Sequence, residues 1–187
     1  MAIAIPSFPP GSQTSIILKS SAVDQTPYLG GPIQRVARLG DRWSYSVTLR
    51  PMHAAQSRPF VTAIRQGLSA KVLCPVIVAG ISLAGQTDCT IQSGSGKTVT
   101  VTGTTANKTV GQFFSLVSNG VRYLHEVTSI TGQVLGINPA LKVAISGGEV
   151  MEFAAPMIEG FLDGNEQETT IGMVGNVGLS FRINEAQ

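Results

Sequence analysis

The sequence predicts a mainly β protein: a β-barrel or sandwich with one short α-helix at about 58–67, plus an inserted or second small β-domain. Three observations carry this. Apolar and polar residues alternate strictly from Arg42 to Leu49, with Trp43, Tyr45, Val47 and Leu49 on one face and Arg42, Ser44, Ser46 and Thr48 on the other, the period of a half-buried strand. The 21 glycines and 10 prolines supply the turns that many short strands require. Helical spacing is convincing only once, at Phe60, Ile64 and Leu68.

Residues 1–13 hold three prolines and no period, and are expected to form a flexible arm ordered only by a neighbour. The segment TSIILK, 14–19, reads as the first strand. Pro27, Gly30, Gly31 and Pro32 make 20–32 a loop. After the strand at 42–49, Pro59 suits the first turn of a helix, with Ser57 or Arg58 as its cap, Ser57 being chemically better, and Gly67 at its end. AKVLCPVIVA, 70–79, is a strand interrupted at Pro75. From 80 to 110 the chain is rich in Gly, Thr and Ser, and KTVTVTGTT alternates. Phe113–Val117 and Gly120–Thr128 form a hairpin, because Asn119-Gly120 favours a tight turn. A second turn at Thr131-Gly132 leads to a strand through Val134 and Ile137. Further strands fall at Glu149–Ala154, Ile158–Leu162 and Val177–Ile183. Residues 14–79 and 150–187 are thus expected to build one β-domain, with 80–149 inserted as a second β-rich unit.

Composition narrows the function. Apolar residues make up 43% of the 187, enough for a real core, while charged residues make up 13%, where a soluble domain usually has about 25%. Either much of the surface is covered by neighbours, or a compact β-domain carries a Ser/Thr-rich surface. A net charge of +2 argues against a general nucleic-acid binder. No apolar run is long enough to span a membrane, and MAIAIPSFPPGS lacks the basic start and apolar core of a signal peptide. Cys74 and Cys89 are expected to be reduced, at least one of them buried.

No catalytic, metal or cofactor constellation emerges. Ser93-Gly94-Ser95-Gly96-Lys97-Thr98 contains the end of a phosphate-binding loop, but Ile91 stands where the first Gly is needed. Strand-forming Val99-Thr100-Val101-Thr102 follows instead of a helix, so a hairpin turn is the better account. His53 and His125 are isolated, and nothing like a nucleophile elbow surrounds Cys74. The chain is expected not to be an enzyme and to need no cofactor.

Charge is unevenly distributed. From Arg35 to Lys71 there are seven basic residues and one acid, a net of +6; from Glu149 to the end there are seven acids and one base, a net of −6. The two blocks either pair inside one domain or meet between subunits, head to tail, in a contact that closes into a ring. A nucleic-acid face on the basic block is a third option. Candidate interface residues are Arg35, Arg38 and Arg42 on one side and Glu159, Asp163, Glu166 and Glu168 on the other.

The stretch RWSYSVTLRPM followed by the helix AAQSRPFVTAIRQGL resembles a pattern in small tail proteins of long-tailed phages and prophages. So do VGQFFSLVSNGVRYLHEVTSITGQVLGINPALKVAISGGEVMEFAAP and the closing EGFLDGNEQETTI and GLSFRINEA. Gly111-Gln112 stands where that pattern has Gly-Asp. The resemblance covers about residues 35–187 and is closest to distal tail, or baseplate-type, proteins. It implies a tail-tube-like fold in a homo-oligomeric ring, expected to be a hexamer, that joins the tail tube to the hub and receptor-binding proteins. Such a ring belongs to the virion tail, is assembled in the host cytoplasm, and passes DNA without gripping it. The competing expectation is a carbohydrate-binding β-sandwich of a receptor-binding apparatus, for which the middle segment offers Phe113, Phe114 and Tyr123.

Overall fold

The computed structural model describes residues 2–28, 30–36, 38–77, 80–164, 166, 169–171 and 176–186. The first part of the chain contributes β1 (Ile3–Ala4), β2 (Gln13–Lys19), β3 (Val23–Gln25), β4 (Gln34–Val36), β5 (Arg42–His53), α1 (Ala54–Gly67) and β6 (Val72–Pro75). The middle contributes β7 (Cys89–Ser95), β8 (Thr98–Thr102), β9 (Phe113–Ser118), β10 (Val121–Thr131), β11 (Val134–Asn138) and β12 (Val150–Glu152). The chain closes with β13 (Met157–Leu162), β14 (Thr169–Ile171) and β15 (Asn176–Glu185). The protein is therefore mainly β, with one helix among the described residues.

An open sheet takes strands from both ends of the chain, in the order β1-β6-β13-β15-β5-β2, with β14 also pairing β15. Its centre is the antiparallel pair β5 and β15. Trp43, Tyr45, Val47 and Leu49 on β5 face Val177, Leu179, Phe181 and Ile183 on β15 in one buried cluster. The period-2 pattern alone places these side chains, because a one-residue slip would turn every one of them to solvent.

The amino-terminal arm is ordered by the chain itself. β1 pairs in parallel with β6, Ile3 opposite Val72, and the N–H groups of Ile3 and Ile5 donate to the carbonyls of Lys71 and Leu73, each at 2.8 Å. Ile5 is buried and Phe8 packs 6.4 Å from the Phe181 ring. Proline keeps this segment from forming a long strand but leaves its apolar side chains free to fill the core.

The helix starts four residues earlier than expected. β5 runs into it without a loop, His53 is the N-cap residue without a side-chain cap, and Pro59 lies inside it. The Ala55 carbonyl that Pro59 cannot serve belongs to an exposed residue, so solvent can take the missing partner's place. Ser57 does not cap; its hydroxyl donates to the Ala54 carbonyl at 3.0 Å. Gly67, the last helical residue, is closely packed: a Cβ there would sit 2.3 Å from Val72 Cγ1.

β7 to β12 form a closed six-stranded barrel in the order β10-β11-β8-β7-β12-β9. Asn119 and Gly120, both at positive φ (52° and 75°), make the type I′ turn between β9 and β10. Gly96, at φ 60°, opens the β7–β8 turn, so GSGKT is a hairpin end with Ser95 opposite Thr98. β12 lies beyond the boundary expected at 149, and it closes the barrel by pairing β7 and β9 together. Phe114, Leu116, Leu135, Ile137, Met151 and Phe153 fill the interior. Residues 20–32, expected as a plain loop, instead lead through β3, which pairs with β4 in a two-stranded ribbon that joins neither sheet.

Candidate functional site

The β3–β4 ribbon is an arm with apolar side chains and no core. Tyr28 is 100% exposed, Ile33 64% and Leu39 83%. Arg35 and Asp24 hold the two strands together through a two-pronged ion pair at 2.7 and 2.9 Å. That hydrogen bonding holds the Asp24 carboxyl below its usual range. At the arm's base the Asp41 carboxylate accepts from the Ser21 N–H at 2.7 Å, which lowers its pKa, and the Ser21 hydroxyl donates to the Arg38 carbonyl at 2.8 Å. The arm is thus anchored at its root while its apolar residues face solvent.

The barrel meets the sheet along β10, whose two faces serve two cores. Leu124 belongs to the sheet's cluster and Val127 to the barrel's. The first half of β10 pairs β9 on one edge, while β11 begins opposite only at Glu126. Two buried glutamates take over the uncovered edge. Glu159 accepts from the Arg122 N–H at 3.0 Å and Glu185 from the Leu124 N–H at 2.9 Å. The other Glu185 oxygen accepts from the Trp43 N–H at 3.0 Å and from Lys142 Nζ. One carboxylate therefore ties β5, β10 and the loop after β11 together, in a place where an unpaired charge would be costly. The Trp43 ring stands edge-on to Phe113 at 5.2 Å across the same junction.

The expected interface residues do not gather. Arg35 and Arg38 sit on the arm and Arg42 at the start of β5, all exposed. Glu159 is buried at the junction, with Lys71 Nζ 3.8 Å away. That is the sole ion pair linking the basic and acidic blocks among the described residues. Asp163 is exposed and engaged with Arg182 at 3.6 Å and Asn184 at 3.1 Å. Glu166 is exposed, and Glu168 lies outside the described residues. Glu159 is drawn inward because its carboxylate serves the Arg122 N–H on the uncovered edge of β10, which a run of acids in sequence does not reveal. The acidic block is thus largely occupied within the chain: Arg122 clamps Glu152 at 2.8 and 2.9 Å, and Glu149 accepts the N–H groups of Ser146 and Gly147. By contrast Arg42, Arg50, Arg58 and Arg65 are exposed and form no ion pair among the described residues.

Groups with chemical potential are occupied in packing. Cys74 and Cys89 are free and buried, and burial pushes both thiols up, away from a reactive thiolate. His125 is buried inside the barrel, stacked 5.7 Å from Phe114, with Nδ1 donating to the Pro139 carbonyl at 3.0 Å. Burial pushes its pKa down to about 4. Among the described residues no three of His, Cys, Asp and Glu gather as metal ligands, and no helix is long and apolar enough to cross a membrane. The aromatics offered for sugar stacking are also packed away: Phe114 is buried, and Phe113 and Tyr123 lie half-buried against the two cores.

The arm and Glu185 both escaped the sequence. Glu185 does continue the buried period-2 face of Val177, Leu179, Phe181 and Ile183, a signal that could have found it. The arm's signal is the apolar run Pro27-Tyr28-Leu29 and Pro32-Ile33 around two glycines. No protein-family model matches the chain, and no curated protein matches it.

Proposed function

We propose that this protein is a non-enzymatic structural subunit that assembles with copies of itself into a ring of a phage tail, at the distal or baseplate end. The observation that carries assembly is the β3–β4 arm. Tyr28, Ile33 and Leu39 stay largely exposed on their own chain, and holding such side chains in water costs about 25 cal/mol for each Å² of apolar surface. An anchored ribbon of this kind is the shape that inserts into a neighbour and loses its exposed area there. The low content of charged residues, 13%, agrees with a surface that is covered in the working state. The tail, and the tube, hub and receptor-binding proteins as partners, rest on the resemblance of residues 35–187 to distal tail proteins. A hexamer is the expected ring, with DNA passing through it.

Sedimentation of the purified protein over a range of concentrations tests this. The wild type should form a discrete closed oligomer. Changing Tyr28, Ile33 and Leu39 together to serine should leave a folded monomer, with unchanged far-UV circular dichroism. A triple variant that assembles as well as the wild type would sink the proposal.

A further inference from the structure

Beside α1 runs a groove that the ring does not explain. On the helix side it is formed by Ala54, Ser57, Arg58, Val61, Thr62 and Arg65, with Thr169 and Val177 opposite. The helical members recur three and four residues apart, so they form one stripe along nearly the whole helix. Its apolar lining is half-buried Ala54 and Val61 with buried Val177, interrupted by the buried Ser57, and Arg58 and Arg65 stand exposed beside it. These arginines are seven residues apart, about 10 Å along the axis. The helix contains no acid, and neither guanidinium has an ion-pair partner among the described residues.

We propose that this groove binds an acidic amphipathic helix belonging to a different protein, with carboxylates seven residues apart over the two arginines and apolar side chains on Ala54, Val61 and Val177. Charge decides against a second copy. Among the described residues every carboxylate except Glu126 and Glu166 accepts a hydrogen bond or ion pair from another described residue. Those two lie on different elements, Glu126 within β10 and Glu166 after β13, so they do not make a paired acidic face. The apolar lining and a net charge of only +2 favour a protein over nucleic acid, whose backbone would need a denser basic lining. An amphipathic helix laid in a groove, anchored by apolar side chains at helical spacing and oriented by rim charges, is a recurring mode of recognition.

The probe is a synthetic helical peptide with two glutamates seven residues apart and leucines between them, fluorescently labelled and titrated with the full chain. The wild type should bind it. Arg58→Glu with Arg65→Glu should weaken binding by about tenfold or more, because like charges then face each other across the rim. The same variant should bind the peptide in which lysine replaces glutamate. Both positions are exposed, so the fold should survive; Arg58→Gln with Arg65→Gln, which should weaken binding less, provides a second variant. Absence of binding to the wild type, or equal binding by the reversed variant, overturns the proposal. Tighter binding of duplex DNA than of the peptide would assign the groove to nucleic acid and overturn it too. Loss of self-association in the reversed variant would assign the groove to a second copy, which likewise overturns it. The Tyr28, Ile33 and Leu39 variant should bind the peptide normally, which separates this groove from the ring.

Discussion

His125 shows how one residue makes the barrel sensitive to acid. Its Nδ1 donates to the Pro139 carbonyl, so the ring is neutral with a bare Nε2 that has no partner in the core. Protonation would place a charge against Phe114 and near Lys142, and burial lowers the pKa from 6.5 to about 4. The folded pKa lies below the unfolded one, so the stabilisation is complete above about pH 6.5. It is lost as pH falls from there through about 4, because the unfolded chain takes up the proton first. The whole effect is on the order of 3 kcal/mol. Urea unfolding at a series of pH values should show stability declining across that window. His125→Gln, which keeps a donor for Pro139, should flatten the decline, and an unchanged slope in the variant would place the acid sensitivity elsewhere.

Two glycines separate what an element tolerates from what it forbids. At Gly67 an added Cβ meets the end of a side chain, Val72 Cγ1 at 2.3 Å, with Leu162 Cδ1 at 3.1 Å. At Gly160 it meets backbone, the Asn184 carbonyl oxygen at 2.1 Å and its carbon at 2.7 Å. A side chain can be shortened, whereas a strand can only move away. Gly67→Ala should therefore cost about 1–3 kcal/mol, and Val72→Ala in the same chain should recover part of that loss. Gly160→Ala should cost more, because it forces β13 from β15, and no single neighbouring truncation should restore it. Denaturant midpoints of the single and double variants measure both. Recovery of Gly160→Ala by a side-chain change would show that the strand pair yields more easily than its geometry implies.

For the molecule as a whole, the Glu185 junction decides whether sheet and barrel act as one body. Removing the carboxylate in Glu185→Ala strands the Trp43 and Leu124 N–H groups and the Lys142 ammonium, and should cost about 3–5 kcal/mol. Glu185→Gln keeps an acceptor and should cost less. Trp43, the one tryptophan in the sequence, stands at this junction, so its fluorescence reports the contact while far-UV circular dichroism reports all strands. The two signals should share one midpoint in the wild type. In Glu185→Ala the fluorescence midpoint should come at lower urea, and coincident midpoints there would mean that apolar contacts alone hold the two units together. The α1 groove shares no residue with this junction, so that surface can be altered without loosening the body that carries it, whereas the root of the arm lies beside the junction, with Leu39 lining a pocket together with Tyr123 and Lys142.

By itself the sequence determined the local structure. The faces of β5 and β15, the single helix, and the turns at Gly96, Asn119-Gly120 and Gly132 follow from period and from the backbone angles that Gly and Asn allow, which are properties of near neighbours along the chain. The helix start was less legible, because β5 leads into α1 without a loop and tertiary packing overrides the preference of Pro59 for the first turn. What only the tertiary structure decided joins residues far apart. β12 closes the barrel by setting Val150 against Thr90, β1 finds β6 by setting Ile3 against Val72, and Glu185 turns inward to serve an edge of β10 sixty-one positions away. The exposure of the arm belongs with these, since β3 and β4 pair only with each other and join neither the open sheet nor the barrel. No local pattern encodes such pairings, because each one depends on which edge remains open after the rest of the chain has folded.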